Sequence, residues 1–111
     1  MPLGVHEPNT RNNNFIGWSV IHGGDIGVFV NPRCRNRGIG GKLSEMIASR
    51  TRKKDIICSP WSLAGLRLYA NLGEKATKKS FTLYNHRKIT DVVGDEILSK
   101  AKKSKNITVI D

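Results

Sequence analysis

The chain has 111 residues, with 19 Lys plus Arg against 9 Asp plus Glu and a formal net charge of +10. That length builds one hydrophobic core and not two, and 38% apolar residues suffice for a folded domain, which excludes a wholly disordered chain. The charge points to anionic partners (nucleic acid, an acidic protein surface or a phosphorylated small molecule), and no run reaches the about 18 apolar residues that span a bilayer, so no membrane partner is expected.

Residues 1–14, MPLGVHEPNTRNNN, carry two prolines and four asparagines with little apolar periodicity, and read as an irregular arm. FIGWSVIHG and DIGVFVNP follow, two β-rich runs around Gly23, Gly24 and Asp25, which predict an antiparallel hairpin. The apolar period then becomes helical at Ile39, Leu43, Met46 and Ile47, predicting a helix over about 39–52. KDIICSP reads as a buried strand. SLAGLRLYANLG reads as a second helix, with Ser62 as N-cap, an inward stripe of Leu63, Leu66, Tyr69 and Leu72, and Gly73 as terminator. KKSFTLYNHRK predicts another strand. TDVVGDEILSKAKKSK predicts a third helix, capped by Thr90 or Asp91, with Val93, Ile97 and Ala101 facing inward, and NITVID a closing strand. The order β-β-α-β-α-β-α-β implies a mixed sheet with helices packed on it. Two cysteines, Cys34 and Cys58, make no disulfide framework, and no basic-then-apolar leader opens the chain, so the expected location is cytoplasmic.

NPRCRNRGIGGKL (31–43) sets Arg33, Arg35, Arg37, Gly38, Gly40 and Gly41 between a predicted strand and a predicted helix. It reads either as a surface turn or as a phosphate loop. A helix start offers unpaired backbone N–H groups and a positive dipole end, and glycines let an anion approach the backbone. A G-x-x-x-x-G-K-[ST] loop fails here, because Asn36 and Leu43 stand where glycine and Ser or Thr are needed. A G-x-G-x-x-G dinucleotide loop fails too, because position 43 is not glycine and no parallel β-α-β unit opens the chain.

R-x-x-G-x-G does fit, as Arg35, Gly38 and Gly40 after VFVNP. This resembles the acetyl-CoA signature of the GNAT N-acetyltransferase superfamily. LRLYANLG looks like the family's second block, with Leu68, Tyr69 and Gly73 matching, while Ser62 and Gly65 replace the usual Asn and Ala. The resemblance covers roughly residues 15–85. It implies a GNAT-like α/β (α+β) fold, with a mixed, mostly antiparallel sheet flanked by helices. It also implies a reduced N-terminal part and an extra C-terminal helix, as one acetyl-CoA-binding domain over 15–111.

The implied activity is acetyl transfer from acetyl-CoA to an amine (a protein lysine or N-terminus, or a small amine) by direct transfer. Arg35, Asn36, Arg37, Gly38, Ile39, Gly40, Gly41 and Lys42 would hold the pyrophosphate, with Ser62 at the second helix. The backbone of Val28, Phe29 and Val30 would line the thioester. Tyr69 matches the family's general acid, and a phenol with its usual pKa near 10 is protonated at neutral pH. It reads equally as a core aromatic. No Glu occurs in 15–44, so Asp25 stands as the candidate base, equally a turn residue; His22 is the other group able to take a proton. Cys58 has no activating pair and reads as packing, and no metal-ligand spacing is present.

The family's domain begins with a strand and two helices that help form the acceptor site, whereas only the short arm precedes Phe15 here, so the chain resembles an N-terminally shortened member. That leaves three outcomes open: a large acceptor such as a protein, a partner subunit (a homodimer) completing the site, or lost catalysis. The rival class is a catalytically inactive basic module that binds CoA, nucleic acid or an acidic protein through SRTRKK (49–54), EKATKK (74–79) and AKKSK (101–105). Exposed aromatics among the basic runs would favour it. Trp18 and Phe29 are expected in the core, and Trp61 stands at a strand exit.

Overall fold

Runs rich in β-branched and aromatic residues build β2 (Phe15–His22) and β3 (Asp25–Val30) as an antiparallel hairpin. Gly23 and Gly24 join them with φ of 59° and 86°, the left-handed pair that a two-residue type I′ turn requires. The computed structural model describes residues 3–6, 15–86 and 91–111. Within the expected irregular arm, Leu3–His6 forms a strand, β1, antiparallel to β2; the rest of the arm and Thr90 lie outside the described residues. Backbone pairing onto the free edge of β2 supplies an order that no side-chain period of four residues announces.

From β3 the chain repeats one unit three times. It passes through α1 (Ile39–Arg50) to β4 (Asp55–Cys58), through α2 (Leu63–Lys75) to β5 (Ser80–Tyr84), and through α3 (Val92–Lys102) to β6 (Ile107–Ile110). Each helix returns the chain to the end of the sheet where it began, so each new strand is parallel to the last. The result is one six-stranded sheet in which spatial order equals chain order, β1 to β6. Only β1–β2 and β2–β3 are antiparallel, whereas β3–β4, β4–β5 and β5–β6 are parallel. The expected mostly antiparallel sheet is therefore corrected to a mixed sheet with a parallel majority. The expected mixed α/β class stands.

The helices pack on one another and on one face of the sheet, α1 against β2 and β3, α2 against β5 and β6, and α3 against β6. Ile26, Ile56, Cys58, Phe81, Leu83 and Ile107 meet Ile47, Ala48, Leu66, Leu72, Leu98 and Ala101 in the core between them. No helix is long and apolar enough to cross a membrane among the described residues.

Several inward assignments shift. Met46 is exposed, and so is Val93 of α3, whereas Ile97 packs half-buried against the core and Gly94, Leu98 and Ala101 are buried, because the contact of α3 with α2 and β6 is centred one residue further on. Gly73 does not end α2, which runs on to Lys75. A Cβ at Gly73 would stand 2.5 Å from Ile107 Cδ1, so this glycine is set by the close approach of α2 to β6. Trp18 and Phe29 point to the sheet face that the helices leave open. They are 37% and 36% exposed, with ring centroids 6.1 Å apart, and so are not core residues. Trp61 is exposed as well and stacks on His86 at 4.5 Å.

Candidate ligand site

β3 ends at Val30, and the loop that follows is built by its own side chains. Asn31 Oδ1 accepts from Arg33 N at 3.3 Å, and Asn31 Nδ2 donates to Phe15 O at 3.2 Å, which ties the strand exit to β2. Pro32–Cys34 makes one 3-10 turn with Cys34 buried as its anchor. Arg35 Nε donates back to Val30 O at 3.0 Å, so this arginine shapes the loop while the rest of its guanidinium stays exposed. Asn36 and Gly38 take left-handed backbone, φ 64° and 76°, and turn the chain into α1.

Gly38 is the N-cap of α1 and offers no side-chain cap, whereas Ser62 Oγ caps α2 and Asp91 caps α3. The first bond of α1 runs from Lys42 N to Gly38 O, so the N–H groups of Ile39, Gly40 and Gly41 precede the helical ladder. No acidic side chain stands in that turn, which keeps the positive end of the helix dipole uncompensated.

These N–H groups border a cavity of about 810 Å³. Its floor is Val28–Val30, one wall is the loop and the first half of α1, and the other is a stripe of α2. Of the residues expected to hold coenzyme, Val28, Phe29, Val30, Arg35, Asn36, Gly38, Ile39, Gly40, Gly41, Lys42 and Ser62 all line it. Arg37 does not: it is exposed, between the two left-handed residues. Ser62 is at the wall chiefly as the cap of α2, its Oγ accepting from Gly65 N at 3.0 Å.

The α2 wall was not expected. Ala64, Arg67, Leu68, Asn71 and Lys75 face the cavity, and the i, i+4, i+8 spacing of 67, 71 and 75 was the available signal. Arg35, Lys42, Arg67 and Lys75 make the lining cationic. Its one carboxylate, Glu45, pairs with Lys75 Nζ at 3.2 Å across α1 and α2.

The floor has a second property. β4–β5 and β5–β6 each hold four register pairs, but β3–β4 holds one, Asp25↔Ile57. Ile57 N donates to Gly24 O at 2.8 Å, and beyond that bond the parallel ladder stops. The Val28 N–H meets the Tyr69 hydroxyl oxygen, which accepts from it.

Tyr69 is buried, and burial, then the neighbouring Cys58 and Asp25, push its phenol up to about 12 against the pull of the Val28 bond. Cys58 is buried too, its thiol pushed up to about 12 by burial and then by Asp25, which suits packing and not a nucleophile. Asp25 is exposed at the closed end of the β3–β4 ladder, opposite His22 across the turn. Tyr69 and Asp25 thus lie within electrostatic reach of one another, but neither lines the cavity. No protein-family model, curated protein sequence or solved structure matches the chain.

Proposed function

We propose that the cavity binds coenzyme A as its acetyl thioester, and that the chain moves the acetyl group to an amine by direct transfer. The observation that carries this reading is the junction of three features in one place. They are an uncapped glycine-rich helix start, a cationic cavity of about 810 Å³, and a parallel strand pair whose ladder stops after one register pair. A volume of that order lies within the range of small-molecule sites. The resemblance of R-x-x-G-x-G and of LRLYANLG to the GNAT blocks supports the same ligand.

In this reading the N–H groups of Ile39, Gly40 and Gly41 donate to the pyrophosphate oxygens, and Arg35 and Lys42 add charge. The β3 edge released from β4 offers the backbone groups that Tyr69 and Arg35 leave unused to the amide-bearing arm of the coenzyme, in the way a strand accepts a neighbour. The amine nitrogen attacks the thioester carbonyl carbon, the C–S bond breaks, and the leaving thiolate takes a proton. The proton donor we assign to the thiolate is Tyr69, which is protonated at neutral pH and whose hydroxyl meets the Val28 N–H at the cavity floor. Asp25, near Tyr69 but outside the cavity, is the proton acceptor we assign to the amine, reached through a water.

Binding is tested by calorimetric titration with acetyl-CoA and CoA, and transfer by radiolabelled acetyl-CoA with polyamines and protein acceptors. Absence of heat at millimolar ligand rejects the reading. Binding without transfer, unchanged in Tyr69→Phe, keeps the coenzyme site and rejects the enzyme.

A further inference from the structure

The basic runs that the cavity leaves unused converge. Residues 51–54 (TRKK), 76–79 (ATKK) and 103–106 (KSKN) are the turns ahead of β4, β5 and β6. Those strands are adjacent, parallel and in register through Asp55↔Ser80 and Phe81↔Ile107, so the turns stand side by side at one end of the sheet. The loop 31–38 follows the C-terminal end of β3 and therefore lies at the other end.

Two side chains join the three turns into one platform. Lys79 Nζ donates to Thr51 O at 2.8 Å and to Lys53 O at 2.7 Å, which binds the second turn to the first. Asn106 Nδ2 donates to Gly73 O at 2.6 Å, Ala76 O at 3.3 Å and Lys79 O at 3.2 Å, while its Oδ1 accepts from Ser104 Oγ at 2.7 Å. These bonds bind the third turn to the second. The charges they display are Arg52, Lys53, Lys54, Lys78, Lys103 and Lys105, all exposed. Among the described residues none of the six forms an ion pair. The carboxylates nearest these turns in the chain are Asp55, which accepts from Ser80 Oγ, and Glu74, which pairs with Lys100 Nζ at 3.6 Å.

We propose that this platform docks the phosphate backbone of a nucleic-acid duplex, without reading its sequence. Neighbouring strands lie about 4.8 Å apart, so three turns place cations over about 10 Å in width before side-chain reach is added. A duplex presents one charge per about 1.7 Å of axis from two strands, which suits a two-dimensional field of cations. An extended acidic peptide presents a single row of carboxylates, one about every 7 Å on a face, and leaves most of the field unpaired. The turns contain no aromatic residue, so they supply no stacking for the bases of a single strand. The site shares no residue with the coenzyme cavity, and either stands if the other fails.

The test is fluorescence polarisation of a labelled duplex of mixed sequence against salt concentration, using the full chain. The logarithm of affinity should fall linearly with the logarithm of salt, with a slope of about −4 to −5 for about five phosphates contacted. The variant Lys53→Gln/Lys78→Gln/Lys103→Gln should fold unchanged, bind at least about 10-fold more weakly at low salt and lose about 3 from the slope. The arginine triple at the same positions should restore both. Equal slopes for the parent and the glutamine triple overturn the proposal. So does displacement by a poly-glutamate peptide at lower charge concentration than by unlabelled duplex, which would assign the platform to an acidic protein.

Discussion

Alanine at Gly41 separates ligand from fold. A Cβ at this position would meet no atom within 4 Å, and the residue lies inside the first turn of α1 with no positive φ to lose. Exchanging glycine for alanine in a helix stabilises it by about 0.5–1 kcal/mol, so the melting temperature should hold or rise. The new methyl tilts toward the helix N-terminus, the direction from which an anion must approach. Displacing one charge-assisted hydrogen bond costs about 1.5–3 kcal/mol, or about 10- to 150-fold in Kd. Calorimetry of Gly41→Ala with CoA, beside a thermal melt, reads both quantities. A more stable protein with CoA affinity cut by that factor is the expected result. Unchanged affinity would refute the placement of pyrophosphate on this turn, however tightly CoA bound elsewhere.

Gly73→Ala should act in the opposite sense. Its Cβ would fall 2.5 Å from Ile107 Cδ1, and the variant should lose about 1–3 kcal/mol in urea denaturation, with part regained in Gly73→Ala/Ile107→Val. Equal losses in the single and double variants would place the strain elsewhere. Ser19 Oγ is buried without a hydrogen-bond partner among the described residues, so Ser19→Ala should raise stability by about 1 kcal/mol, and a loss of that size would show that the hydroxyl is satisfied. Cys58 and Tyr69 ionise near 9 and 10 in the unfolded chain but near 12 when folded. A raised acid pKa gives stability that is complete below the unfolded value and lost as pH climbs toward the folded one. Unfolding free energy should therefore decline from about pH 9 to 12, and the decline should weaken in Tyr69→Phe; a flat profile across that window would contradict the burial of both groups.

The hairpin and the loop were legible because their local chemistry is self-sufficient. Gly23 and Gly24 take the left-handed pair that their turn needs, and Gly38 the left-handed step into α1. The α2 face of Leu66, Tyr69 and Leu72 was legible from its period. The strand Leu3–His6 was not, since its order comes from pairing with β2. The parallel majority was hidden as well, because direction depends on where each helix returns the chain. Gly73 carries the composition of a C-cap, yet its place is set by Ile107, 34 positions away in sequence order and invisible to local rules. Trp18 and Phe29 stand in apolar runs without strict alternation, so the sequence does not say which face of the strands is covered. The polar stripe of Arg67, Asn71 and Lys75 has a helical period of its own, masked by the apolar one.

The most direct test of the central claim compares CoA with pantetheine, which keeps the thiol arm and lacks the pyrophosphate, in calorimetric titrations of the full chain. Saturable one-site binding of CoA, with pantetheine silent at the same concentration, is the predicted outcome. No heat from CoA at millimolar concentration, or equal binding of the two, would contradict a pyrophosphate held by the start of α1.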